Sequence, residues 1–230
     1  MFIGGLQKNS LIDFPGKLSC VCFVSGCNFH CPYCHNPDLV RHPGRVFLDE
    51  AGFFDFLLRR KGFVDGVVLS GGEPTLQKDL RPFVSRIRKE GFAVKLDTNG
   101  SRPEIIRDLI EKELLDYIAM DIKTDPSLYP LFMQKEIDPG AILSSVHLIM
   151  ASGIPYEFRT TCVRPMVDAR TVETISRLIQ GCVLYVLQSF SRARVLQPEF
   201  FENREAGYGP EEMNQLKSIA DPWVGKCIVR

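Results

Sequence analysis

The sequence predicts an α/β fold of parallel strands in a single domain, and three observations carry that prediction. A short β-rich run, a polar loop and an amphipathic helix follow one another about six times along the chain. The β-rich runs are apolar almost throughout, as strands buried on both faces are. No Pro/Gly/Ser-rich linker or low-complexity segment divides the 230 residues, a length suited to one large domain. Strand–helix alternation implies a parallel sheet with right-handed crossovers. Six units are too few for an eight-fold barrel, which leaves a partial barrel or an open layer.

The predicted strands cover residues 18–24, 66–69, 93–97, 117–121, 156–161 and 183–188. Among the helices, 78–90 carries Leu80, Phe83, Val84 and Ile87 at the i, i+3, i+4, i+7 spacing of one buried face. Helix 102–112 carries Ile105, Ile106, Leu109 and Ile110, with Pro103 suited to a first turn. Helix 169–179 carries Val172, Ile175 and Ile179. Segments 49–60 and 140–151 complete the series, and His147 reads as structural within the latter. The core spans roughly 18–190. An extension, 191–230, holds a last helix after Gly209-Pro210 and a final strand at 226–229.

Lys plus Arg and Asp plus Glu number 28 each, so no net field draws the chain to nucleic acid or to an anionic membrane. No apolar run approaches a membrane span, and the first residues lack a basic stretch followed by an apolar one. The expectation is a cytoplasmic protein. Five of the eight cysteines fall between Cys20 and Cys34, which is uneven for a disulfide framework and points to metal binding or redox chemistry. Cys20 and Cys22, alternating with Val21 and Phe23, read as small buried apolar residues.

In both candidate architectures chemistry sits at the C-terminal ends of the strands. Here those ends are polar in all six units: Ser25-Gly26-Cys27, Ser70-Gly71-Gly72-Glu73-Pro74, Asp97-Thr98-Asn99-Gly100, Asp121-Ile122-Lys123, Arg159-Thr160-Thr161 and Gln188-Ser189. The strongest signal follows the first strand. Cys27, Cys31 and Cys34 place three thiols in one loop at the spacing Cys-x3-Cys-x2-Cys. Thiolates hold iron–sulfur clusters, and three of them leave one iron of a cubane without a protein ligand. An open metal position is where substrate binds. The competing reading is closed zinc on these cysteines with His30 or His35. Structural zinc sites usually draw two separated pairs of ligands, and no second pair appears.

With this loop and the Gly71-Gly72-Glu73-Pro74 segment after the second strand, the sequence resembles the radical S-adenosylmethionine (SAM) superfamily. The likeness runs from Ser10 to at least Gln188. Within it, Ser10-Leu11-Ile12-Asp13-Phe14-Pro15-Gly16, Tyr33-Cys34-His35-Asn36-Pro37, Asp97-Thr98-Asn99-Gly100 and Asp121-Ile122-Lys123 are similar to motifs of the activating enzymes of glycyl radical enzymes. No inserted ferredoxin-like cysteine motifs lie between Cys34 and Ser70, and the N-terminal third looks most like the activators of anaerobic ribonucleoside-triphosphate reductase.

The resemblance implies a partial (βα)6 TIM-like barrel, a [4Fe-4S] cluster on Cys27, Cys31 and Cys34, and SAM chelating the open iron. Reductive cleavage of SAM would give a 5′-deoxyadenosyl radical that takes hydrogen from a glycine of a partner enzyme. It further implies that Ser70, Gly71, Gly72 and Glu73 meet the methionine moiety, and that Tyr33 and His35 flank the adenine. Lys123 and Arg159 would hold the SAM carboxylate or ribose. Asp97, Thr98 and Asp121 would ligate a monovalent cation, and Gln188 would contact the substrate backbone. A flavodoxin or ferredoxin is the implied electron donor. Two rivals stand beside this reading. One is a radical SAM enzyme acting on a small molecule, such as the ring-contracting synthase of deazapurine biosynthesis. The other is a non-catalytic zinc-binding module.

Overall fold

The structure, a computed structural model, describes all residues other than 134–136 and 204, and the side chains of all of these other than 132 and 133. Its strands are β1 (Ile3–Ser10), β2 (Ser19–Val24), β3 (Gly66–Gly71), β4 (Ala93–Thr98), β5 (Tyr117–Asp121), β6 (Tyr156–Cys162), β7 (Tyr185–Ser189) and β8 (Cys227–Val229). Its helices are α1 (Pro37–Arg41), α2 (Glu50–Arg59), α3 (Leu80–Lys89), α4 (Pro103–Glu111), α5 (Tyr129–Met133), α6 (Pro139–Met150), α7 (Ala169–Leu178) and α8 (Pro210–Ala220). The strands stand in chain order in one sheet. Parallel pairing joins β2 to β3, β3 to β4, β6 to β7 and β7 to β8. The α/β fold of six βα units read from the sequence is the fold observed. Among the described residues no helix is long and apolar enough to cross a membrane.

All seven predicted strands and all six predicted helices form, with ends shifted by a few residues at most. The strand expected at 183–188 begins later, at Tyr185, because Val183 is exposed. Reasoning from the repeat missed β1, which lies outside it and runs antiparallel to β2, with Ile3 opposite Val24 and Ser10 opposite Ser19. Short α1 and α5 were also missed, being too brief to show a period. Several helices start on aspartate caps: Asp49 accepts from Gly52 N–H, Asp138 from Gly140 N–H and Asp168 from Thr171 N–H.

The chain's contacts gather in two compact units. The first comprises Met1–Asn28, Asp38–Thr98 and Glu104–Ile118. Its helix layer centres on Phe53 and Phe54 of α2 and Phe83 of α3, whose ring centroids lie 5.2–5.4 Å apart. The Arg86 guanidinium lies 3.8 Å from the Phe54 ring centroid. Cys20 and Cys22 are fully buried in β2, and burial pushes the Cys20 thiol up to about 12, so both are the inert apolar fillers expected. The second unit comprises Phe29–Pro37, Asn99–Pro103 and Ala119–Arg230. There Ile142, Val146 and Ile149 of α6 and Val172 and Ile175 of α7 are fully buried, as are Phe158, Tyr185 and Leu187 of the strands.

The pairing of β1 with β2 also locates the Ser10–Gly16 motif. It turns at the N-terminal end of β2, the end away from Cys27. Ser10 Oγ donates to Asp13 Oδ2 at 2.5 Å and accepts from Asp13 N–H at 3.1 Å. Phe14 is buried behind it, against the Tyr117 ring. The motif therefore closes a hairpin.

Phe83→Ala opens a cavity among three packed rings and is expected to cost about 3–5 kcal/mol. Urea unfolding followed by far-UV circular dichroism checks this as a lowered midpoint at unchanged slope.

Candidate active site

In the first unit the segment after β2 and the segment after β3 are joined by their backbones. Gly72 N–H donates to Val24 O and Glu73 N–H to Gly26 O, both at 2.8 Å. Gly71 adopts φ +106°, and a Cβ there would stand 2.6 Å from Val24 N. A Cβ on Gly72 would collide with the Gly26 carbonyl. Both glycines are thus required by close approach of protein to protein, beside the residue that precedes Cys27. Gly26 N–H in turn donates to Leu39 O at 2.8 Å.

Glu73 is 1% exposed, and its Oε1 accepts from Thr75 N–H at 3.1 Å, Thr75 Oγ1 at 2.5 Å and Thr98 Oγ1 at 2.8 Å. The carboxylate clasps the start of the turn to the end of β4. Next to Thr98, Asp97 Oδ2 accepts from Ser70 Oγ at 3.0 Å, and its Oδ1 accepts from the Lys95 ammonium at 2.5 Å.

In the second unit the ends of β5 and β6 build a charged cluster. Asp121 Oδ1 accepts from Arg159 Nε at 2.7 Å and Oδ2 from Lys123 Nζ at 2.9 Å. Burial works to raise the Asp121 carboxyl, but Arg159 and then Lys123 overcome it and hold it far below the usual carboxylate range. Burial works to lower the Lys123 ammonium, while Asp121 and Cys31 raise it, and the net shift is upward. Glu157, 2% exposed, faces Arg159 at 3.9 Å and Arg230 at 3.1 Å. Gln188 lies beside Thr161 in the β6–β7 register.

The cysteine loop enters this unit through Phe29. Its ring meets Tyr129 edge-on, with centroids 5.6 Å apart, and Tyr129 Oη accepts Lys123 N–H at 2.9 Å. Tyr129 therefore ties the loop to the β5 end. Cys31 is 7% exposed and Cys34 half-buried, and burial pushes the Cys34 thiol up against the opposing pull of Asn36 N–H and Lys123. Tyr33 is buried, and its Oη has no hydrogen-bond partner among the described residues. His35 Nδ1 meets Arg194 O at 3.0 Å, and its ring lies 6.1 Å from that of Phe190.

Residues 21–179 match the family model of the radical SAM superfamily. The chain belongs to the radical SAM superfamily. It is 36% identical over 235 residues to a Methanocaldococcus jannaschii protein provisionally named a glycyl-radical enzyme activating enzyme, covering 99% of this chain and 95% of the relative. It is also 34% identical over 131 residues to the pyruvate formate-lyase-activating enzyme of Listeria monocytogenes, covering 53% of this chain and 52% of that one. The crystal structure of Streptococcus suis SuiB bound to S-adenosylmethionine shares the fold at a TM-score of 0.67 and 12% identity, covering 89% of this chain and 48% of that chain. The radical SAM chain is accordingly an enzyme of the glycyl-radical activating class.

The residues fit the group this family implies. None of the eight cysteines is joined in a disulfide, so the loop keeps its three thiols. Among the described residues no three His, Cys, Asp or Glu side chains are gathered as ligands of one metal ion. In a cubane each thiolate meets its own iron, so no such convergence is needed. The unpartnered Tyr33 hydroxyl marks a place where a bound molecule's polar atom belongs.

The structure brings together Asp97 with Ser70, Glu73 with Thr98, and Asp121 with Lys123 and Arg159. It ties His35 to the segment after β7. Three residues escaped the sequence reading of this radical SAM chain: Lys95, Glu157 and Tyr129. For the first two a signal existed, since each is a charge two residues before an opposite charge on the same strand, Lys95 before Asp97 and Glu157 before Arg159. Tyr129 carried none.

Two outcomes are expected. Gly72→Ala breaks the Glu73–Gly26 backbone bond and lowers stability by about 2 kcal/mol or more, with iron uptake after reconstitution reduced alongside; thermal melting and iron assay read both. Tyr129→Phe leaves Lys123 N–H without its acceptor and costs about 1–2 kcal/mol, read by chemical denaturation.

Proposed function

We propose that this radical SAM enzyme activates anaerobic ribonucleoside-triphosphate reductase, holding a [4Fe-4S] cluster on Cys27, Cys31 and Cys34 and binding SAM at the iron left without a protein ligand. Three thiols in one loop, none of them in a disulfide, together with the buried Tyr33 hydroxyl that has no hydrogen-bond partner among the described residues, carry this reading. A cluster held by Cys27, Cys31 and Cys34 would supply the one-electron reduction that splits SAM into methionine and a 5′-deoxyadenosyl radical able to take hydrogen from a glycine Cα of the partner.

The protein's own work is binding and orientation. Lys123 offers an ammonium, kept charged by Asp121, to the SAM carboxylate. Asp121, fixed on both oxygens by Lys123 and Arg159, holds that ammonium in place and stays ionised. Glu73 keeps the turn after β3 rigid, so that the backbone around Gly71 and Gly72 presents fixed carbonyls to the SAM amino group. Gln188 meets the backbone of the incoming glycine segment. A flavodoxin or ferredoxin delivers the electron. The Ser10–Gly16 and 34–37 segments favour an activator over an enzyme acting on a small molecule, and the likeness of the whole N-terminal third supports the reductase as the partner.

Anaerobic reconstitution with iron and sulfide, reduction and addition of SAM should yield 5′-deoxyadenosine. Cys31→Ala should abolish it, and turnover retained in that variant would remove Cys31 from the ligand set. Adding the reductase should produce a glycine-centred radical by electron paramagnetic resonance. A radical formed on pyruvate formate-lyase and none on the reductase would reassign the partner.

A further inference from the structure

Lys95 lies in the middle of β4, between Val94 and Leu96, which are fully buried, and its own side chain is 1% exposed. Its ammonium donates to Asp97 Oδ1 at 2.5 Å and stands 5.8 Å from the centre of the Tyr117 ring. No other acceptor among the described residues takes its remaining N–H groups. An ammonium carries three donors, and a buried one needs acceptors for them. Two N–H groups of Lys95 are therefore available to a bound anion.

This bears on the monovalent cation that the family likeness implies beside Asp97, Thr98 and Asp121. A metal cation binds where anionic oxygens lack counter-charge. Asp97 already has one, in contact and shielded from water, and Ser70 Oγ occupies its second oxygen at 3.0 Å. A metal ion beside Asp97 would face the Lys95 charge across a few ångströms of low-dielectric interior. Asp121 is likewise matched, by Arg159 at 2.7 Å and Lys123 at 2.9 Å. The residues do not fit an added monocation.

We infer that Lys95 is the resident monocation of this enzyme: it neutralises Asp97 and donates its spare N–H groups to the carboxylate of bound SAM, so that no alkali ion is taken up. This rests on the proposed binding of SAM. An alkali ion and the Lys95 ammonium carry the same charge, but only the alkali ion can be exchanged for another salt's cation.

The test is SAM affinity of the cluster-loaded, anaerobic full chain, measured calorimetrically in sodium, potassium and choline chlorides at equal ionic strength. Wild type should bind equally in all three, within about threefold. Lys95→Met should bind at least about tenfold more weakly in choline and regain about threefold or more with potassium. Lys95→Arg, which keeps the charge should the methionine variant fail to fold, should stay independent of the salt. Wild-type binding that falls by more than this margin in choline overturns the inference, and so does a methionine variant with unchanged affinity or one that potassium does not help. Absence of SAM binding in every salt overturns instead the functional reading on which it stands.

Discussion

Charges withdrawn from water must be matched, and the polar face of this sheet is organised by that requirement. Three of its carboxylates meet counter-charges, Asp97 with Lys95, Asp121 with Lys123 and Arg159, and Glu157 with Arg230, while Glu73 accepts from Thr75 and Thr98. The pairs fix more than charge. Asp121 accepts on both oxygens and so cannot rotate, and it holds the Lys123 ammonium in one direction. Within each unit such pairs are costly as a means of stability. They make sense as preorganisation, because they fix the direction of donors and acceptors in advance.

The second constraint is backbone approach. The turn after β3 comes so close to the turn after β2 that neither Gly71 nor Gly72 tolerates a side chain. Glu73 N–H reaches the Gly26 carbonyl, and Glu73's carboxylate then binds Thr98 at the end of β4. Three successive strand ends are thereby locked into one another. A motif commonly read as a ligand cradle has, in this protein, a purely internal reason for each of its residues, and the two roles are compatible. The Ser10–Gly16 motif shows the other side of this. It contributes to the family likeness, yet it closes a hairpin at the far end of β2.

Much of this was legible in the chain itself. Periodicity located the six βα units because a strand buried on both faces and a helix buried on one leave different apolar spacings. The cysteine loop was legible because its chemistry needs three identical ligands close in sequence. β1 was not, since it is an antiparallel strand with a mixed burial pattern, outside the repeat that organised the reading. The counter-charges were the larger omission. Lys95 and Glu157 lie in strands that also carry Asp97 and Arg159, and a charge there reads as part of the polar strand end until its burial and its partner are known.

The sequence by itself determined the alternation of elements, the set of thiols and the membership of the radical SAM superfamily, because those depend on residues near one another along the chain. The tertiary structure alone decided which charges face each other, why Gly71 and Gly72 carry no side chain, and that Tyr129 links the cysteine loop to Lys123. Asp121 with Arg159, Glu157 with Arg230, Phe29 with Tyr129 and Gly72 with Gly26 join residues tens of positions apart, while Lys95 with Asp97 and Asp121 with Lys123 stand two apart on one face of the chain; in both cases the meeting depends on strand register and side-chain direction.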